Sequence, residues 1–148
     1  MKKILFVCTG NTCRSPMAEL ILKNKLKLAG VKDVRVGSAG INATDGHKMS
    51  KNAFIALKAL GIKNYSFRAK RLTAEMIEKS DMVICMTKEH KAALKGFKNV
   101  YSISEVTTAG DIIDPYGQDE KTYIKTSHQL EDACNEILIQ ILKAKGEQ

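Results

Sequence analysis

The chain has 148 residues, of which 44% are hydrophobic and 27% charged, and its formal net charge is +8 from 24 Lys and Arg against 16 Asp and Glu. That length predicts one domain, residues 1–148, with a substantial core. No stretch is long and apolar enough to span a membrane, and the dispersed, mostly lysine surplus matches no nucleic-acid-binding module.

Met1-Lys2-Lys3 precedes a short apolar run, Ile4 to Val7, which reads as a buried strand rather than an export signal. Ser15 is placed to cap a following helix, with Pro16 at its first position. Met17, Leu20, Ile21 and Leu28 recur near helical spacing, and Gly30 is a stop. Val34-Arg35-Val36 reads as a second strand ending at Gly37-Ser38-Ala39-Gly40. Met49, Ala53, Ala56, Leu57 and Leu60 signal a helix closed by Gly61. Thr73 caps a short helix over 74–79. Met82 to Met86 is a third buried strand, followed by a short helix over 88–94 and a fourth strand near Val100-Tyr101. Residues 104–118 read as loop. The last helix carries the stripe Leu130, Cys134, Ile137, Leu138 and Ile141. Strands alternating with helices predict an α/β fold: a parallel sheet with helices on both faces, whose ligands bind beyond the carboxyl ends of the strands.

Cys8 falls at such an end. It opens Cys8-Thr9-Gly10-Asn11-Thr12-Cys13-Arg14-Ser15, a short loop between strand and helix. Backbone N–H groups and a helix N-terminus there converge on one point, as phosphate binding requires. Gly10 lets the backbone curl, Arg14 supplies a planar fork for two phosphoryl oxygens, and Asn11 braces the loop from inside. Such surroundings lower a cysteine from about 8.5 to roughly 3.5–7.5, so Cys8 is expected to be a thiolate nucleophile, with Ser15 donating to it. The alternative for an isolated Cys and Arg is a buried strand-end residue and a surface cation. The ATP-binding GxxxxGK[ST] pattern is absent.

The stretch Val7 to Glu19 resembles the signature of the low-molecular-weight protein-tyrosine phosphatase family, and Asp111-Ile112-Ile113-Asp114-Pro115-Tyr116-Gly117 is a second, distant match. The resemblance implies a four-stranded parallel sheet, no metal and no cofactor. It implies a two-step mechanism in which Cys8 forms a phosphocysteine. Asp114 protonates the leaving group and then activates water, while Arg14 and the loop residues Thr9 to Ser15 hold the phosphoryl group. By composition alone, 114–117 is a turn; Tyr116 is placed as an aromatic wall beside the substrate. Many tyrosine-directed members carry isoleucine where this chain has Thr12. A bacterial protein-arginine phosphatase subgroup resembles the chain more closely, with threonine there and similar wording at Met86-Thr87 and His90. Phosphoarginine in proteins is therefore the favoured substrate and phosphotyrosine the alternative, with Thr12 and Tyr116 setting specificity. Ser38 matches a supporting serine behind the loop, but Phe67 stands where many members have that network's histidine.

The sequence leaves further readings open. Cys8 and Cys13 share one loop, and a curled loop brings them to bridging range, giving a reversible disulfide on oxidation. Cys85 and Cys134 lie in apolar periodic segments and read as core. His47, His90 and His128 read as surface residues. A thiol-dependent arsenate reductase needs clustered downstream cysteines, which are absent. A phosphate-binding module without turnover has no need of Asp114. The four cysteines are too few for a secreted disulfide framework, so a reducing cytoplasm is expected, with a monomer acting on phosphorylated proteins.

Overall fold

The computed structural model describes residues 2–146; Met1 of the basic start lies outside the described residues. The elements in chain order are β1 (Lys2–Cys8), α1 (Arg14–Leu28), β2 (Val34–Gly40), α2 (Lys51–Ala59), α3 (Ala74–Glu78), β3 (Met82–Cys85), α4 (Lys88–Ala92), β4 (Val100–Ser102), α5 (Ile103–Val106) and α6 (Glu120–Gly146). The four strands form one sheet in the order β2-β1-β3-β4, and every neighbouring pair is parallel.

The apolar run of β1 is explained by burial on both faces. Ile4, Phe6 and Cys8 point to one side, into a core with Met17 and Ile21 of α1, Leu57 of α2 and Leu130, Cys134 and Ile137 of α6. Leu5 and Val7 point to the other, against Val83 and Cys85 of β3 and Ile77 of α3. The strand order reverses at β1, which lies between β2 and β3. The crevice at its carboxyl end is where such sheets bind ligands, and Cys8 is its last residue.

Helix stops follow the glycines: Gly30 and Gly61 adopt φ of 72° and 81°, the left-handed geometry that ends α1 and α2. Several local expectations need correction. Helix α1 starts one residue earlier than its capping signal, at Arg14 after Cys13, and no side chain caps it. Ser15 is inside the first turn, so its hydroxyl is free for other partners. Leu28, expected on the core stripe, is 79% exposed at the helix end, and Leu26 is buried instead. Residues 104–106, expected as loop, belong to a single helical turn, Ile103–Val106, whose Glu105 Oε1 accepts the Ser102 N–H at 3.0 Å.

Candidate active site

The loop from Cys8 to Arg14 curls because of what stands behind it. Asn11, not Gly10, takes the left-handed turn, with φ of 54°. A Cβ on Gly10 would meet nothing nearer than Thr12 Oγ1 at 3.7 Å, so the curl does not depend on a glycine there. The crowded position is Gly40 at the end of β2. A Cβ there would lie 2.5 Å from Thr9 O and 2.8 Å from Asn11 N. The loop is tied to the same strand end by Ile41 N–H to Cys8 O and Asn42 N–H to Thr9 O, both 2.9 Å.

Asn11 is fully buried and acts as the brace. Its Oδ1 accepts the Lys70 N–H at 2.9 Å, which fixes the amide orientation. Its Nδ2 donates to Ser15 Oγ and to Ser38 Oγ, both at 2.9 Å. Ser38 in turn donates to the buried Glu19 Oε1 at 2.5 Å, and Glu19 Oε2 pairs with Lys23 Nζ at 2.6 Å. Because Asn11 occupies a lone pair of Ser15 Oγ, the Ser15 hydrogen is left for Cys8 Sγ at 2.8 Å or Ala39 O at 3.5 Å. The shorter contact is the sulfur. Phe67 takes no part in this network; Lys70 N–H and Glu19 complete it.

A pocket of about 220 Å³ opens over the loop, lined by Cys8, Thr9, Gly10, Thr12, Cys13, Arg14, Asp114 and Tyr116. The two distant sequence matches therefore meet at one place. The side chains of Asn11, Ser15 and Ser38 stand behind the loop and not in the pocket, so their contribution there is through the backbone and through Cys8. Arg14 Nη1 donates to Ile112 O at 3.1 Å and its Nη2 lies 3.6 Å from Asp114 Oδ2. Ile112 N–H is bonded to Met86 O at the end of β3, 2.9 Å, which anchors the loop that carries Asp114. Asp114 Oδ1 accepts the Tyr116 N–H at 3.0 Å, a local turn that holds the carboxylate forward.

The expected lowering of Cys8 is corrected. Burial pushes its thiol up, and this exceeds the downward pulls of the Ser15 hydroxyl and N–H, the Arg14 guanidinium and the Asn11 N–H. The sequence shows the charges around Cys8 but not how completely the fold removes it from water. Cys13 lies further round the loop, with Sγ 3.2 Å from Tyr123 OH and 3.4 Å from Ser50 Oγ. Burial pushes Tyr123 up to about 12. All four cysteines are free and buried.

His90 also departs from expectation. His47 and His128 are exposed, but His90 is only 9% exposed. Its Nε2 lies 2.9 Å from Thr9 Oγ1, and its Nδ1 lies 3.0 Å from Thr87 Oγ1. Burial is the first cause, and the Arg14 charge the second, of a downward shift in its ionisation. The helical spacing Thr87-x-x-His90, a threonine cap bonding the N–H of its third following residue, was the available signal.

Residues 3–148 match the family model described as low molecular weight phosphotyrosine protein phosphatase. The chain belongs to that family. It is 36% identical to a protein-arginine-phosphatase of Bacillus subtilis (strain 168), over 95% of this chain and 97% of the relative. It is 36% identical to the low molecular weight protein-tyrosine-phosphatase PtpB of Staphylococcus haemolyticus, over 86% of this chain and 91% of the relative. The solved structure of the YwlE arginine phosphatase from Geobacillus stearothermophilus superposes with a TM-score of 0.92 at 32% identity, covering 100% of this chain and 97% of that one. The four-stranded parallel sheet expected of the family is therefore the fold of this phosphatase, and its chemistry is hydrolysis of a phosphoryl group.

Proposed function

We propose that this phosphatase removes the phosphoryl group from phosphoarginine in proteins, using Cys8, Arg14 and Asp114 within the single domain 1–148. Cys8 first loses its thiol proton to solvent; the thiolate sulfur then attacks phosphorus, a P–S bond forms, and the P–N bond to the arginine breaks. Asp114 gives its carboxyl proton to the departing nitrogen. Water then attacks phosphorus, Asp114 takes the water proton, the P–S bond breaks and phosphate leaves. Arg14 and the loop N–H groups hold the three oxygens throughout.

The observation that carries the substrate choice is Thr12 on the pocket wall together with Asp114 and Tyr116. A phosphoguanidinium is polar and rich in donors, and the Thr12 hydroxyl offers it an acceptor that isoleucine lacks. The Bacillus relative's name supports the same choice. Phosphotyrosine is the second reading, supported by the 74%-exposed Tyr116 ring beside the pocket and by the Staphylococcus relative. A change of this kind in a pocket is worth ~1–3 kcal/mol, so it gives preference and not exclusion. Arsenate reduction lacks support: Cys85 packs on the opposite face of the sheet and Cys134 in the helical core, and burial drives both thiols up to about 12.

The test compares phosphoarginine and phosphotyrosine peptides for the wild type and Thr12→Ile, without added metal. The substitution should move the kcat/KM ratio toward phosphotyrosine by about tenfold or more; an unchanged ratio removes Thr12 from the argument. Cys8→Ser should be inactive on a chromogenic aryl phosphate. An inactive wild type would instead favour a binding module.

Two further readings belong to this proposal. Cys8 and Cys13 share the pocket, and a peroxide would oxidise Cys8 to a sulfenic acid. Attack by Cys13 would then expel water and leave a disulfide. Mass spectrometry after mild peroxide should find that link. Four free thiols fit a reducing cytoplasm, where the protein acts as a monomer on phosphorylated proteins and not on nucleic acid. Among the described residues, no helix is long and apolar enough to cross a membrane.

A further inference from the structure

His90 connects helix α4 to the pocket through Thr9. Thr87 Oγ1 accepts the His90 backbone N–H at 3.1 Å and lies 3.0 Å from His90 Nδ1. His90 Nε2 lies 2.9 Å from Thr9 Oγ1. Thr9 lines the pocket beside Cys8 and Arg14, while His90 does not. These three side chains form one chain of hydrogen bonds, and the direction of its protons decides what Thr9 presents.

Two directions are available. In the first, the Thr87 hydroxyl donates to Nδ1, Nε2–H donates to Thr9 Oγ1, and the Thr9 hydrogen is left to point into the pocket. In the second, Nδ1–H donates to Thr87, Thr9 gives its hydrogen to Nε2, and lone pairs face the pocket. The second leaves the Thr87 hydrogen without an acceptor among the described hydrogen bonds. It also sets lone pairs against an incoming phosphoryl anion. The first also leaves one hydroxyl hydrogen over, that of Thr9, but aims it into the pocket, where it becomes a donor to the arriving negative charge. A neutral ring is required for Nδ1 to accept, and the buried position of His90 beside Arg14 favours that form.

We propose that Thr87 and His90 are positioning residues that orient the Thr9 hydroxyl as a hydrogen-bond donor to the bound phosphoryl group. This rests on the phosphatase reading of the pocket. His90 acts through Thr9 and does not touch substrate. The relay also couples the register of α4 to the loop, since the same Thr87 oxygen caps the helix.

The experiment measures kcat/KM on an aryl phosphate and inhibition by orthovanadate and inorganic phosphate, on the full chain. The variants are Thr9→Val, His90→Asn, His90→Gln and the double variant Thr9→Val/His90→Asn. One hydrogen bond to a charged group corresponds to about tenfold. Thr9→Val and His90→Asn should each lose about tenfold in kcat/KM and bind vanadate correspondingly less well. Asparagine replaces only the Nδ1 contact. Glutamine places an N–H near Nε2, so His90→Gln should stay within about threefold of wild type. The double variant should be no worse than Thr9→Val, because both changes remove the same contact. Losses that multiply, or a His90→Gln variant as poor as His90→Asn, overturn the relay. If the His90 variants unfold, Thr9→Val alone decides, and wild-type activity in it overturns the proposal. An inactive wild type sinks the phosphatase reading and the relay together. An active wild type with an unaffected Thr9→Val sinks the relay alone.

Discussion

The two halves of the site are built to different standards. The phosphate cradle is buried and held from several sides: Asn11 and Ser15 are fully buried, and Arg14 is nearly so. The acid loop is open. Ile113 is 79% exposed, and the Asp114 side chain is 52% exposed against 6% for Arg14. The cradle must present several donors to one anion without rearranging during the reaction, which is what preorganised electrostatic stabilisation demands. The acid must deliver a single proton and then take one from water, so it needs access. Damage to the cradle should therefore impair binding and attack together. Damage to the acid loop should spare binding and slow the departure of the leaving group.

The largest effect is expected from the open half. Asp114→Asn keeps the shape and removes the proton. The rate on phosphoarginine and aryl phosphates should fall by about 10²- to 10⁴-fold, while orthovanadate inhibition stays within a few-fold of wild type. A loss of less than tenfold would show that another group supplies the proton and would erase the division of labour.

Gly40→Ala attacks the cradle from behind. Its new Cβ would collide with Thr9 O and Asn11 N, both backbone atoms that cannot swing away. Overpacking of this kind costs about 1–3 kcal/mol, readable in urea unfolding. Displacing a catalytic group by about 1 Å costs on the order of 10²-fold in rate. Here vanadate binding should fall alongside kcat, unlike in Asp114→Asn. Equal vanadate affinity would mean that the loop does not lean on β2.

This position also marks where reading the chain stops. Cys8, Arg14 and Asp114 were legible because the chemistry of phosphate binding restricts residue type and spacing within one loop. The sheet was legible from apolar runs separated by helical periods. Gly40, Glu19 and His90 were not, because their roles arise from long-range contacts. Gly40 meets the loop some thirty residues away in sequence, whereas Gly10, inside the loop, has room for a Cβ. His90 sits three residues after a helix cap, and that spacing does not say which loop its ring reaches. Its partner Thr9 directly follows β1, 81 residues earlier in the chain. The ionisation of Cys8 differs from its sequence expectation for the same reason: local charges are visible in the chain, but exclusion of water is a property of the assembled core.

A third expectation sharpens the cradle side. The Ser15 hydroxyl is the largest of the groups pulling Cys8 down against burial. Ser15→Ala removes it, so the thiol should ionise at still higher pH. The acid limb of the kcat/KM profile should move upward, and the alkylation rate of Cys8 by iodoacetamide should show the same displacement. If both curves stay in place, the 2.8 Å contact between Ser15 and Cys8 does not govern the nucleophile.

The smallest effect is a stability effect at the seam between the halves. His90 faces Arg14, Glu89, Asp114 and Asp111, and burial with the Arg14 charge holds its ionisation below the ordinary 6.5. In the unfolded chain the ring takes a proton near 6.5, whereas in the fold it stays neutral to lower pH. Between those two values the unfolded state binds more protons, so stability rises with pH there. The contribution is full above about 6.5 and is lost as pH falls through the folded value. Wild type should therefore lose urea midpoint between pH 7.5 and 5 faster than His90→Gln, whose side chain does not titrate. Paired acids such as Asp33 and Glu105, whose ionisation the fold lowers, act only below their ordinary carboxylate range, beneath this window. Parallel midpoint curves for the two proteins from pH 7.5 to 5 would mean that His90 is as open to water and protons as the exposed Asp114 loop, and the boundary between closed cradle and open acid would have to be redrawn on its other side.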